Sequence, residues 1–270
     1  MDASPEADAG EPAARHGQYG EHGEYAELHC LSNFSFLRGA SHPAELISRA
    51  QALGYRALAL TDECSMAGVV RAHVRAKEAG LQLIIGAEFT FTCGLKLVAL
   101  AATRLGYGRI CQLITRGRRA ARKGSYRLAR EDLLDCIPPG DDCLLLWHPS
   151  EDAEEHGRWL AAHYAGTLWL AVSLLRSGQD AVLLRAALDL AARLSLNCVA
   201  CGDVHMHEAA RRPLQDVLTA IRHRLPLKQA GRRLFPNGER HLRGRDELAR
   251  LYPPALLAES IAIAARCRFS

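Results

Sequence analysis

Tyr25–Ser41, YAELHCLSNFSFLRGAS, decides the fold, together with a distant echo at Val199–His207, VACGDVHMH. Each reads as a short apolar strand whose far end runs into a turn carrying metal-competent groups. Alternate residues of a strand share a face, so His29 should point with Leu31, and Asp203 with His205. Strands ending in His or Asp-x-His are how an α/β barrel assembles chemistry on its C-terminal rim.

Outward from these stretches the text alternates strand and helix. AELHCL is a strand, Ser41 caps a helix over 43–53 that stops at Gly54, and RALALT is a second strand ending at Thr61-Asp62-Glu63. A helix over about 66–79 stops at Gly80, and LQLIIGAEF and LKLVALAA follow as strands. After a helix over 106–116, CLLLWH, TLWLAVSL and LNCVACGDVH are three more strands, separated by helices near 152–164 and 179–194. Helical pieces at about 209–223, 245–251 and 254–266 complete the chain. This alternation predicts an α/β fold with a parallel sheet closed into a barrel or near-barrel. Residues 1–24 are Ala, Gly, Glu and Pro with little to bury, and predict a disordered leader.

Composition narrows the class. The 270 residues are 49% apolar and 24% charged, ordinary for a globular protein, and the net charge of +4 does not by itself imply nucleic acid. No secretion signal or membrane-length apolar run is visible, which predicts a cytoplasmic protein without a membrane partner. Nine scattered cysteines predict buried thiols, and Cys198 and Cys201, three apart on one strand, should face opposite sides.

His29, Glu63, Glu88, Asp203 and His205 each fall at a predicted strand end, with Asp62 beside them in a position that also suits a turn cap. They supply the N and O ligands that zinc, manganese or iron favour. A basic run, Arg116, Arg118, Arg119, Arg122 and Lys123, suits either a solvated loop or contact with phosphates, and a second basic stretch runs over 232–250. No phosphate-binding GxxxxGK[ST] loop or GxSxG nucleophile turn occurs.

ELHCLSNFSFLRGAS, ALALTDECSMAGVVRAHVRAKEAG, LIIGAEF, LVALAATRLGYGRICQLIT and VACGDVHMHEAARRPLQDVL, taken together, resemble the successive blocks of a PHP (polymerase and histidinol phosphatase) domain. The resemblance is strongest to the N-terminal domain of bacterial error-prone C-family DNA polymerases, and covers residues 25–270. It implies a distorted (βα)7 barrel, which active members use to hold a rim metal cluster and hydrolyse phosphoesters. Carried over position by position, His29, Glu88, Asp203 and His205 keep the family's ligand types. Leu31 replaces a second His, Arg38 an acidic residue, Glu63 the His of a TDH block and Lys96 a further His, while a Cys-type ligand position falls near Ser150.

Leu31 cannot coordinate a metal, and a unit positive charge about 4 Å from a divalent ion costs roughly 8 kcal/mol at an effective dielectric near 20. The expectation is therefore a vestigial metal site with no catalytic residue and no cofactor in this chain, its carboxylates Glu63, Glu88 and Asp203 paired with Arg38 and Lys96. The resemblance further implies a part of a longer polymerase that acts in damage-induced mutagenesis and translesion synthesis. The magnesium, the deoxynucleotides and the nucleotidyl transfer would belong to absent palm and fingers domains. Expected partners are those domains, other translesion-synthesis proteins, and DNA held weakly through Arg118, Arg119, Arg122 and Lys123. The alternative is a residual metal-dependent phosphoesterase or 3′–5′ exonuclease.

Overall fold

Seven strands lie in chain order in one sheet: β1 (Ala26–Cys30), β2 (Ala57–Leu60), β3 (Gln82–Thr90), β4 (Lys96–Ala101), β5 (Cys143–His148), β6 (Leu168–Val172) and β7 (Asn197–Ala200). The computed structural model describes residues 23–150 and 152–269, so the expected leader lies outside the described residues except for Gly23 and Glu24. β1 to β3 pair parallel, as do β5 to β7. β4 runs antiparallel to both neighbours, which corrects the all-parallel sheet expected from strand–helix alternation. Length is the reason: residues 91–95 alone separate β3 from β4, whereas a parallel crossover needs roughly a dozen residues. The link is instead a tight turn, in which the Phe91 N–H donates to the Leu95 carbonyl at 2.8 Å and Gly94 supplies a φ of 84°.

The sheet curls until its edges meet. Segment 202–206, after β7, reaches the free edge of β1, where the Leu31 N–H donates to the Val204 carbonyl at 2.8 Å and the Val204 N–H to the His29 carbonyl at 2.9 Å. The buried Glu27 carboxylate completes the seam by accepting from the Gly202 N–H at 2.9 Å. Strand alternation then divides the core. Ala26, Leu28, Ala59, Ile84, Val98, Leu146, Ala171 and Val199 fill the inside of the curl, with Ile263 and Ala264 of the last helix, α10 (Pro254–Arg266), among them. Leu58, Ile85, Leu97, Trp147 and Leu170 belong to the second core, shared with helix residues.

That second core is built with α1 (Pro43–Ala52), α2 (Val69–Ala79), α3 (Arg104–Arg119), α4 (Arg130–Cys136), α5 (Ala153–His163) and α6 (Asp180–Leu194). α7 (Arg212–Arg222), α8 (Leu227–Ala230) and α9 (Arg245–Leu251) lead to α10. Most helices fall within a few residues of expectation, but α4 is a single short amphipathic piece that the sequence does not announce. His42, not Ser41, caps α1, with the Glu45 carboxylate accepting from the His42 N–H at 2.8 Å. The Ser41 hydroxyl is engaged elsewhere, accepting from the His207 N–H at 2.9 Å. Cys198 and Cys201 belong to opposite cores, and all nine cysteines are free thiols.

Candidate functional site

Backbone irregularity and strand direction bring the rim residues together. In β1, Glu27 faces Leu58 and Cys30 faces Leu60, so Leu28 and His29 both oppose Ala59. Two residues against one is a β-bulge, and it breaks the alternation between Leu28 and Cys30, which belong to opposite cores. Leu31 itself is fully buried. Glu88 lies near the end of β3. Lys96 begins β4, and because that strand is reversed its start shares the rim, in register between Thr90 and His148. Asp203 and His205 follow β7, Asp203 in a left-handed conformation with φ 45°.

Glu88 is the centre. Its Oε2 accepts from His29 Nε2 at 2.7 Å and from Lys96 Nζ at 3.0 Å, while its Oε1 accepts from Arg38 Nη1 at 2.6 Å. The same Arg38 nitrogen lies 2.7 Å from Glu63 Oε2. Burial alone would raise the Glu88 carboxyl, but Lys96, the His29 hydrogen bond and Arg38 outweigh it and hold the group well below the usual carboxylate range. Burial lowers His29 against the pull of Glu88, and lowers His205 further, with Arg38 adding to the effect. His205 Nδ1 donates to the Asp203 carbonyl at 2.9 Å, which leaves Nε2 as its acceptor nitrogen.

Asp203 is paired with Arg240, not with Arg38 or Lys96 as expected. Arg240 belongs to neither sequence block that marks the rim. It arrives because its carbonyl accepts from the His205 and Met206 N–H groups at 2.9 and 3.2 Å, and its guanidinium stacks 4.2 Å from the Phe235 ring centre. His148 was also missed: its ring centre lies 4.5 Å from that of His29. Its place at the end of CLLLWH was the available signal. Ser150, the nearby position suggested by the resemblance, is exposed, and its hydroxyl donates to the Gly94 carbonyl at 3.2 Å. Asp62 serves as a loop tie, accepting from the Ser32 N–H at 2.8 Å and from the Ser32 and Ser35 hydroxyls at 2.7 Å each.

One donor atom each from His29, Glu88 and Asp203 lie within 4.8 Å of one another, close enough to share an ion. The atoms are nevertheless committed. Both Glu88 oxygens and one Asp203 oxygen accept from cations or His29, and His29 Nε2 is used on Glu88. His29 Nδ1 and Asp203 Oδ1, 3.6 Å apart, are the atoms of this trio without a partner among the described residues. His148 Nε2 is also without a partner and His205 Nε2 is an acceptor, but these donors face the fixed positive charge of Arg38, Lys96 and Arg240, which does not fit a divalent ion.

The basic run at and beyond the end of α3 is divided. Arg116 pairs with Asp132 and Asp135 at 3.1 and 2.6 Å. Arg118, expected to meet DNA, instead donates to the Cys64 and Glu63 carbonyls at 3.1 and 3.2 Å, clamping α3 to the turn after β2. Arg119, Arg122 and Lys123 are exposed.

The PHP domain family profile matches residues 27–194. Error-prone DNA polymerases of Dechloromonas aromatica (strain RCB) and Methylococcus capsulatus (strain ATCC 33009 / NCIMB 11132 / Bath) are 57% and 58% identical to the chain over 91% of its length. The chain spans 24% and 23% of those two relatives, about a quarter of each. An amidohydrolase from Chromobacterium violaceum, solved with sulfate and no metal, aligns over 67% of this chain and 88% of its own at 17% identity and a TM-score of 0.45. With its profile match covering most of the sheet and its curled seven-stranded architecture, the chain belongs to the PHP domain family.

Proposed function

We propose that this chain is the PHP region of an error-prone DNA polymerase and acts as a folding platform for it, its rim metals replaced by protein cations. One observation carries the reading: Arg38 and Lys96 converge with His29 on buried Glu88, while Arg240 takes Asp203. Relatives that share more than half of their matched residues with it bear the polymerase name, which supports the choice of parent enzyme. In this reading the parent works in translesion synthesis and DNA repair in the cytoplasm. Magnesium, deoxynucleotides and nucleotidyl transfer belong to its other domains, and its partners are those domains, DNA and other translesion proteins.

The second reading, a residual metal-dependent phosphoesterase or 3′–5′ exonuclease, draws on the close approach of His29, Glu88 and Asp203. A DNA 3′-end hydrolysis assay with added Mn²⁺ or Zn²⁺ separates the two. The platform reading expects the wild type to match a His29→Ala, Asp203→Ala double variant. Metal-dependent cleavage abolished in the double variant would replace it with the exonuclease.

A further inference from the structure

A cavity of about 270 Å³ opens beside the rim, and its walls include Arg38, Lys96, Arg222, Arg233 and Gln215. Arg38 and Lys96 are engaged with Glu63 and Glu88, which also line it. Arg222 and Arg233 have no carboxylate partner among the described residues. Arg233 Nη1 donates instead to His223 Nδ1 at 3.1 Å, which holds the turn after α8 against the end of α7. Gln215 is 2% exposed, yet its Oε1 has no hydrogen-bond partner among the described residues. A half-turn of that amide would present its NH2 group in place of the oxygen, so the cavity wall can donate as well as accept.

The segment between Asp216 and Glu239 carries one sign. From 217 to 238 the sequence carries Arg222, Arg224, Lys228, Arg232 and Arg233, and no Asp or Glu. All five cations are exposed, and none forms an ion pair among the described residues. The α3 run offers less, because Arg116 is neutralised by two aspartates and Arg118 is spent on carbonyls. Phe235 lines the cavity, but Arg240 covers its ring and His205 meets it edge-on, so it offers no free face for a base.

We infer that residues 222–233 form a docking surface for the phosphate backbone of a DNA strand, with one phosphate seated in the cavity between Arg222 and Arg233. Arginine forks match phosphate oxygens, and unpaired cations in a row release counterions when a polyanion binds. The contact it gives is sequence-independent where its cations meet phosphates rather than base edges. The inference deepens the polymerase reading and rests on it for the choice of DNA as the polyanion.

The test is fluorescence anisotropy of a labelled single-stranded oligonucleotide, titrated with the full chain across a salt series. One variant carries Arg222→Ala, Arg224→Ala, Lys228→Ala, Arg232→Ala and Arg233→Ala; a second carries Arg119→Ala, Arg122→Ala and Lys123→Ala. For the wild type, log K should fall against log salt with a slope of about −3 to −4 if all five charges engage. The five-fold variant should lose most of that slope and at least about tenfold in low-salt affinity, while the three-fold variant keeps the wild-type slope. Because Arg233→Ala also removes the His223 contact, a four-fold variant that keeps Arg233 should still lose most of the slope. An unchanged slope in the five-fold variant, or loss confined to the three-fold variant, overturns the surface and leaves the polymerase reading standing. Tighter binding of poly-glutamate than of the oligonucleotide overturns it in favour of an acidic protein. No oligonucleotide binding by the wild type also overturns it, and the hydrolysis assay still decides between platform and exonuclease.

Discussion

Glu88 is the residue whose neighbours set the character of the rim. Arg38 serves both Glu63 and Glu88, so Arg38→Met should leave a buried carboxylate short of its partner and cost about 3–5 kcal/mol in denaturant unfolding. Lys96→Met removes one of three donors to Glu88 and should cost less, about 1.5–3 kcal/mol. Equal, near-zero losses would place both cations outside the network. Acid should weaken the fold before carboxylates titrate. Burial, with neighbouring charge behind it, holds His148 and His205 well below the ordinary imidazole range. As pH falls through about 6.5 the unfolded chain protonates at these positions and the folded chain does not, so stability is lost, by up to about 1.4 kcal/mol per pH unit per histidine. Glu88, held low in the folded state, acts in the same sense below about pH 4.3. Asp62 and Glu27, raised by burial, act oppositely, so the histidine effect is isolated by comparing urea midpoints of the wild type and His148→Gln across this range. Parallel pH profiles for the two would contradict it. Sequence could show His29, Glu88 and Asp203 at strand ends, but not Arg240, which arrives through backbone pairing between distant loops.

At the scale of elements, strand and helix order was legible because apolar runs and helix stops recur cleanly along the chain. Strand direction and register were less so. The β1 bulge and the reversal of β4 are set by pairing geometry and a short turn, and both are needed to bring His29 and Lys96 to one rim. The α3–β5 junction depends on Gly106, whose N–H is capped by the Thr103 hydroxyl at 3.1 Å. A Cβ at Gly106 would fall 1.8 Å from the Asp142 carbonyl oxygen, so the helix start must move to admit one. Gly106→Ala should therefore cost about 1–3 kcal/mol, read from the urea midpoint. An unchanged midpoint would mean that α3 can shift freely against the sheet.

At the scale of the whole fold, the described residues give the barrel an apolar interior and a rim crowded with paired charge. Burying one Leu or Ile side chain contributes roughly 1.5–3 kcal/mol, and the interior holds Leu28, Ile84, Leu100, Leu144 and Leu146, with Ala, Val and Trp side chains from the other strands. A chelator should leave the melting temperature unchanged, because a ligand that is not bound lends no stability through linkage. Elemental analysis of the purified, undialysed chain tests the central claim most directly. Cations in place of metals predict no stoichiometric zinc, manganese or iron; one or more tightly held ions per chain would contradict it.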